Sequence, residues 1–485
     1  MTSAEDAFGT KVGNDSVGLY ASRSARGFDP QLAGNIRIEG LYFDQQGIFG
    51  NLLTKSTTMR IGLSAQSYPF PAPTGIAVHQ PADHTVVSAS PQYSHPKGMT
   101  SAVVDVSTPL VGDKLGMVAG VNRFRQGGEQ APAGAPLAMA ALFRFWPTDN
   151  AEFIPFIFSS QTFKTEVAPS IFTGGNYLTP EVDRSVFYGQ KWAARRSDDR
   201  NIGLIARGTP WDNWRLQAAL FQSQAARPLN HVVFLRNTQP DGTANLDILR
   251  YPEHFACSYS GEARASGVYT DGAFRHTVHI ATRGRSTRRL FGGGSTHQPR
   301  HDAGRRGVAE PVYTLGVPDK DVVRQITPGV SYVGQWANVG EFSVGVQKSF
   351  YHRDFGKERL TPVTTSSRPL LYNGTIAWYP TRDLAFYGGY TRGLEEFGTA
   401  PDNAFNGGEP MPASLTEQMD AGIRYRIIPG ANFMAGLFQV TKPYFDRNTV
   451  NVYTDVGNLR HRGIEMSLAG KVVPNVTVIA GAVFI

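Results

Sequence analysis

A single cysteine in 485 residues, Cys257, rules out an intrachain disulfide. No run approaches the ~20 consecutive apolar residues of a membrane-spanning helix, which excludes a helical membrane protein and leaves a soluble β protein or a barrel. Charged residues are sparse at 18%. The opening "MTSAEDAFGT" has neither a basic head nor an apolar run, so no secretory signal is expected in it. Catalytic signatures are missing as well: there is no G-x-S-x-G elbow, no P-loop, no G-x-G-x-x-G after a strand and no H-E-x-x-H. The expectation is a chain without catalysis and without a cofactor.

Cation excess is modest, a net charge of +7, and much of it sits in "RHTVHIATRGRSTRRLFGGGSTHQPRHDAGRRG" from Arg275 to Gly307. A nucleic-acid surface would interleave aromatics with those cations, and the glycine-rich part offers only Phe291. A solvated loop is expected over 283–306, with no nucleic-acid partner. His297 and His301 lie four apart in that stretch, where solvated histidines are expected rather than metal ligands.

What the sequence does have, from about residue 84 onward, is a rhythm. Runs of ~10 alternating residues meet at tight turns rich in Pro, Asp, Asn or Gly, and pairs of runs are separated by longer polar stretches. Eight such turns are readable: "VGDK" (111–114), "PTDN" (147–150), "PWDN" (210–213), "DGA" (271–273), "NVG" (338–340), "PTRD" (380–383), "IPGA" (428–431) and "VVPN" (472–475). The connections around 161–201, 223–254 and 284–325 are far longer than the usual ~4–6 residues, and all fall at the opposite end of the hairpins. Short turns at one end, long loops at the other and dyad-patterned strands describe a transmembrane antiparallel β-barrel. Phe143, Phe145 and Trp146 before one turn, and Trp378 and Tyr379 before another, fit an interfacial aromatic girdle. A soluble sandwich also alternates; a propeller would repeat at ~40 residues with blade signatures that are absent.

One strand near 86–93 and two per turn make roughly seventeen on this template. The last, "NVTVIAGAVFI", stops at Ile485, so an odd count with an open edge is expected, unable to insert as it stands. Residues 1–83 lack the rhythm. Their short apolar runs, broken by Gly, Pro, Asn and Asp, are expected to form a compact mixed α/β piece, with the barrel occupying 84–485.

Three stretches together resemble the TonB-dependent outer-membrane receptors. Arg26-Gly27-Phe28 followed by "NIRIEGLYFD" (35–44) is similar to that family's plug pattern, "MDAGIRY" (419–425) to a barrel strand, and "RHRGIEMSLAG" (460–470) to the strand two further on. The resemblance implies a partial N-terminal plug inside a barrel that in the family has 22 strands. It also implies a bacterial outer-membrane location, a ferric siderophore or similar scarce ligand, a TonB-type energy transducer, and lipid around the wall. The family's transducer-contacting box has no match here.

Within the strand 460–470, Glu465 interrupts an alternating apolar row. A carboxylate is tolerated toward a polar lumen and not toward lipid, so Glu465, Asp420 and Arg424 are expected inward and Ile464, Met466, Ala421, Ile423 and Tyr425 outward. The resemblance implies a plug–barrel latch of Arg26 with Asp420 and Glu465. The carboxylates pairing instead with Arg424 or Arg460 remains open. A second plug arginine has no clean match: Ile61 stands at its place, with Arg60 beside it.

For ligand, the turn Gln45, Gln46, Gly47, Ile48 and Phe49 is implied to face the outer vestibule, with Tyr68 and Phe70 of "SYPFPAPTG" as further candidates. Amides beside aromatics suit a neutral or anionic chelate. The same aromatics packing the plug against the wall is the alternative. The basic segment could steer anionic chelates or touch lipopolysaccharide phosphates. The leading expectation is gated import of a ferric siderophore; a passive porin and a soluble β-rich enzyme are the rivals.

Overall fold

The computed structural model describes residues 10–12, 15–17, 20, 24–31, 33–50, 52–62, 65, 68–81, 86–94, 99–126, 136–179, 181, 187–298, 308–357, 362–401, 403–473 and 476–485. They form two sheets, one inside the other.

The inner sheet is N-terminal and six-stranded, in the spatial order Asp15–Val17, Thr10–Val12, Thr54–Arg60, Ile76–Pro81, Ile36–Ile38, Leu41–Tyr42. Ile36–Ile38 and Leu41–Tyr42 form a hairpin closed by Glu39 and Gly40, both at positive φ (52° and 80°). Two such residues give the turn whose twist matches flanking strands, and only glycine takes the second angle without strain. A mixed α/β piece was expected from this segment. Among its described residues there is no α-helix. The reason is visible in the sequence: Gly, Pro and Asn interrupt every apolar run before the ~10 residues that a stable helix requires.

The outer sheet is a closed barrel. Antiparallel register runs without a break from Val86–Ser94 to Val476–Phe484 through every hairpin read from the sequence. The ring order then sets Val476–Phe484 beside Val86–Ser94. This corrects the expected open edge: the curled sheet brings its first and last strands together. Backbone groups left unpaired in hydrocarbon cost several kcal/mol each, which favours that closure. The strands also outgrow the ten-residue template. Trp214–Thr238 has 25 residues, and Ala194–Trp211, His254–Asp271 and Phe274–Phe291 have 18 each. At ~3.3 Å per residue and a tilt near 40°, 25 residues rise on the order of 60 Å, about twice a bilayer core. Much of what read as long loops is therefore strand standing beyond the membrane. There it has a small core of its own, with Val233, Leu235, Leu246 and Ile248 under Trp192.

Alternation sorts the wall. Phe153 and Ile157 face outward while Ile154, Phe156 and Phe158 face inward and are buried. The run "FIPFIF" is apolar on both faces because lipid covers one and the inner sheet the other. The main core lies at that contact: Ile36, Ile38, Phe43, Leu53 and Met59 pack on Leu142, Ile154, Phe158, Ile205 and Phe221 of the wall. Near the tight turns Phe143, Phe145 and Trp378 are exposed as the girdle requires, but Tyr379 turns in and packs against the core. Adjacent strand residues cannot both face lipid.

Candidate functional site

Among the polar contacts that join the N-terminal piece to the wall, three described clusters carry ion pairs between them. The first is centred on Arg26, which is 2% exposed and sits in a tight turn closed by reciprocal hydrogen bonds between Ala25 and Phe28. Its Nε donates to Glu465 Oε2 at 3.2 Å, Nη2 pairs with Glu465 Oε1, and Nη1 lies 2.7 Å from Asp420 Oδ1 as an ion pair off the hydrogen-bond line. The Tyr20 hydroxyl donates to Glu465 Oε2 at 3.0 Å, and the guanidinium stacks 4.3 Å from the Phe438 ring centroid. Burial alone would lower the Arg26 pKa, but Asp420 and Glu465 outweigh it and raise it above the ordinary value. The Tyr20 hydroxyl is pushed up by burial and by Glu465.

Glu465 is 1% exposed and Ile464 45%; Arg424 is 6% exposed and Tyr425 45%. The inward and outward faces are those expected from alternation. Of the partners left open, the structure brings Arg26 to both carboxylates. Arg60 is not in this cluster and stands instead near Tyr68.

The second cluster is built on the hairpin turn. Glu39 accepts from Arg144 at 3.0 Å and from Arg207 at 3.2 Å, and both arginines also pair with Glu152. Neighbouring Arg37 is pushed down to about 10, first by burial and then by Arg283.

The third lies at the end away from the tight turns and borders a cavity of about 600 Å³. Asp44 of the N-terminal piece donates its N–H to Ser260 Oγ at 2.9 Å and accepts from Arg285 at 3.3 Å and Thr287 at 2.7 Å. Arg285 also donates to Glu396 at 2.7 Å, and Arg289 pairs with Glu396 and with Asp321 at 3.3 Å. Asp321 is held two-pronged by Arg353 at 2.9 and 3.1 Å. Arg353 in turn donates to the carbonyls of Phe397 (2.8 Å), Gly398 (3.3 Å) and Met411 (3.4 Å), of which the first two line the cavity.

The expected ligand residues divide. Gln45 and Gln46 line this cavity, and Gln46 accepts from Arg289 at 3.2 Å. Phe49 does not: its ring lies 5.8 Å from Phe43, 5.9 Å from Phe156 and Phe158, and 5.1 Å from His79, inside the core between inner sheet and wall. Phe70 is 8% exposed and presses on Gly329, where a Cβ would lie 3.1 Å from its ring. Tyr68 sits against Gly40, its hydroxyl pushed up by burial. For these three aromatics the packing alternative is the one the geometry fits.

Sequence reasoning missed Arg285, Arg289, Arg353, Asp321 and Glu396. The stretch expected to be a solvated basic loop is, up to Phe291, a wall strand, and Arg283, Arg285 and Arg289 alternate onto its lumen face. His297 ends a short strand; His301 lies outside the described residues. Among the described residues no three His, Cys, Asp or Glu side chains gather as a metal site.

A closed antiparallel barrel with a separate N-terminal sheet in its lumen is the architecture of outer-membrane siderophore receptors, the TonB-dependent fold. Three solved structures match it closely: the siderophore receptor PiuA from Acinetobacter baumannii (TM-score 0.76, 12% identity, covering 100% of this chain and 75% of that one), the ferric-catecholate import receptor Fiu from E. coli K12 in its closed form (0.73, 15%, 99% and 76%), and the ferric preacinetobactin receptor BauA from Acinetobacter baumannii (0.72, 15%, 92% and 70%). At these identities the likeness is one of fold. No family model and no curated protein matches the sequence.

Proposed function

We propose that the chain is a gated importer of a ferric siderophore in a bacterial outer membrane, with residues 1–83 as its plug and 84–485 as its barrel. The observation that carries this reading is the inner sheet itself, tied to the wall at three places through Arg26, Glu39 and Asp44. A passive porin needs an open lumen, whereas a plug held by salt bridges suits a path opened only on demand. Arg26 with Asp420 and Glu465 acts as the latch at one point of the rim. The ligand enters from the side of the long strands and meets Gln45, Gln46 and the arginine cluster around the cavity. A TonB-type transducer then supplies the work that moves the plug.

Two measurements test this. In bacteria lacking their own siderophore receptors, the protein should restore uptake of an iron-labelled chelate only while the energy transducer is present; uptake that persists without it would mean a passive pore. Deleting residues 1–83 should also turn a silent barrel into a conducting one in planar bilayers. Unchanged conductance would remove the plug assignment.

A further inference from the structure

The cavity beside Arg285 and Arg289 already contains an anion of the protein's own. Four basic side chains line it, Arg285, Arg289, Arg353 and Lys442, against five acidic ones. An incoming anionic chelate would therefore meet a lining with no spare positive charge. The pairings show which carboxylate is dispensable. Asp44 lies two residues beyond the inner-sheet strand Leu41–Tyr42 and is fixed by Ser260 and Thr287 as well as Arg285. Asp321 is gripped by Arg353 through both oxygens. Glu396 lies in a connecting segment beyond the end of strand Leu384–Glu395, and its two oxygens are divided between Arg285 and Arg289.

We propose that Glu396 is an internal stand-in for the anionic group of the ligand, occupying Arg285 and Arg289 until a chelate bearing negative charge displaces it. This rests on the siderophore reading for the identity of the ligand, but the displacement is a property of the cluster. When Glu396 leaves, the only carboxylates left to the pair are Asp44 for Arg285 and, for Arg289, the 3.3 Å contact to Asp321, which Arg353 already satisfies; Gln325 (3.1 Å) and Gln46 (3.2 Å) stay as neutral acceptors. Two guanidiniums then face the cavity with unused donors, an arrangement matched to a carboxylate, catecholate or phosphate oxygen pair. A neutral chelate cannot displace Glu396 without stranding both cations. Glu396 thus sets charge selectivity: displacing it frees two cations that only an anionic ligand can take up. Segment 396–413, which Arg353 holds by its carbonyls, is uncoupled from Arg285 at the same moment, and Arg285 touches Asp44 of the N-terminal piece.

The full chain in detergent tests this with two probes. Inorganic pyrophosphate, titrated at constant ionic strength, should raise the melting temperature of E396Q, and of E396A as a second variant, well above its effect on wild type, and should leave the double variant E396Q/R289Q unmoved. Equal shifts in wild type and E396Q overturn the proposal. A ferric tris-catecholate should bind E396Q at least about tenfold tighter than wild type, with a neutral ferric tris-hydroxamate unaffected. If the tris-catecholate binds both forms equally, the proposal is again overturned. The two readings fail separately. Chelates that bind no form beside the expected pyrophosphate pattern leave Glu396 as the stand-in and remove the siderophore; transported chelates without that pattern do the reverse.

Discussion

Arg26→Ala is the sharpest perturbation available, because it removes a cation that the structure places against two nearly buried carboxylates. Asp420 and Glu465 have side chains 7% and 1% exposed. What remains after truncation is the Tyr20 hydroxyl and the Gln418 amide, each donating to one of them. Neither donor is a charge. Removing one partner of a buried ion pair costs about 3–5 kcal/mol, since the other partner stays desolvated and uncompensated. At 1.4 kcal/mol per decade, the population of released plug should rise by roughly two to four orders of magnitude. The assay is sensitivity of intact cells to a large antibiotic that outer membranes exclude, backed by single-channel conductance. The variant Arg26→Gln with Glu465→Gln can re-form a neutral hydrogen bond, so tightness should return in the double change. Strict additivity of the two single effects would refute pairing. Arg26 brings no pH dependence of its own in the working range: its folded pKa is raised, so its contribution is complete below the already high unfolded value and would fade only above it.

Three further outcomes are expected. Gly62, at φ +56°, would place a Cβ 3.1 Å from Arg26 Nη2, so Gly62→Ala should cost about 1–2 kcal/mol and loosen the plug less than Arg26→Ala does, read by the same antibiotic assay. Cysteine at Ile464 (45% exposed) should react with a lipid-phase label and cysteine at Ser467 (2% exposed) should not; the opposite pattern would mean that the wall has been read inside out. Burial raises the Glu396 carboxyl, but Arg285 and Arg289 prevail and hold it at about 2, below its ordinary 4.5. A depressed folded pKa stabilises above the unfolded value, so this tie should be intact at pH 5 and lost progressively toward ~pH 2, seen as pepsin cleavage within 396–413; Glu396→Gln should abolish the acid step.

The wall was legible because a lipid-facing strand admits little ambiguity. Each tight turn needs Pro, Asp, Asn or Gly at fixed places, and the period of two puts Glu465 and Ile464 on opposite faces whatever surrounds them. The meeting of Arg26 with Asp420 and Glu465 was another matter: a turn and two strands far apart in the chain, 439 residues in the case of Glu465, are joined by a lumen that no local pattern describes. Motif resemblance supplied that expectation; periodicity alone left Arg424 and Arg460 equally open as partners. Closure was hidden for a similar reason, since register between the first and last strands is a property of the curled sheet and of no single segment.

The ligand end was misread through charge. A dense basic run such as "RGRSTRRLF" looks like a solvated loop when charge is summed over a window. Read at period two, the same residues separate: Arg283, Arg285 and Arg289 fall on one face and Arg288 on the other, with Thr287 between them buried against Asp44. A strand in a barrel needs polar residues on its lumen face, so alternating arginines inside a wall are a binding surface before they are a loop. The carboxylates that answer them come from other elements, Asp44 from the N-terminal piece and Glu396 from a distant connection, and no spacing in the sequence relates them. Hence the cations of the site can be found by alternation alone, whereas the anion that guards it has to be found in three dimensions. That division explains why Phe49, Tyr68 and Phe70 stand out in the sequence before the arginines do. Aromatics near a turn suggest stacking on a ligand, but in a chain that must fill its own lumen the same rings are needed to pack one sheet within another.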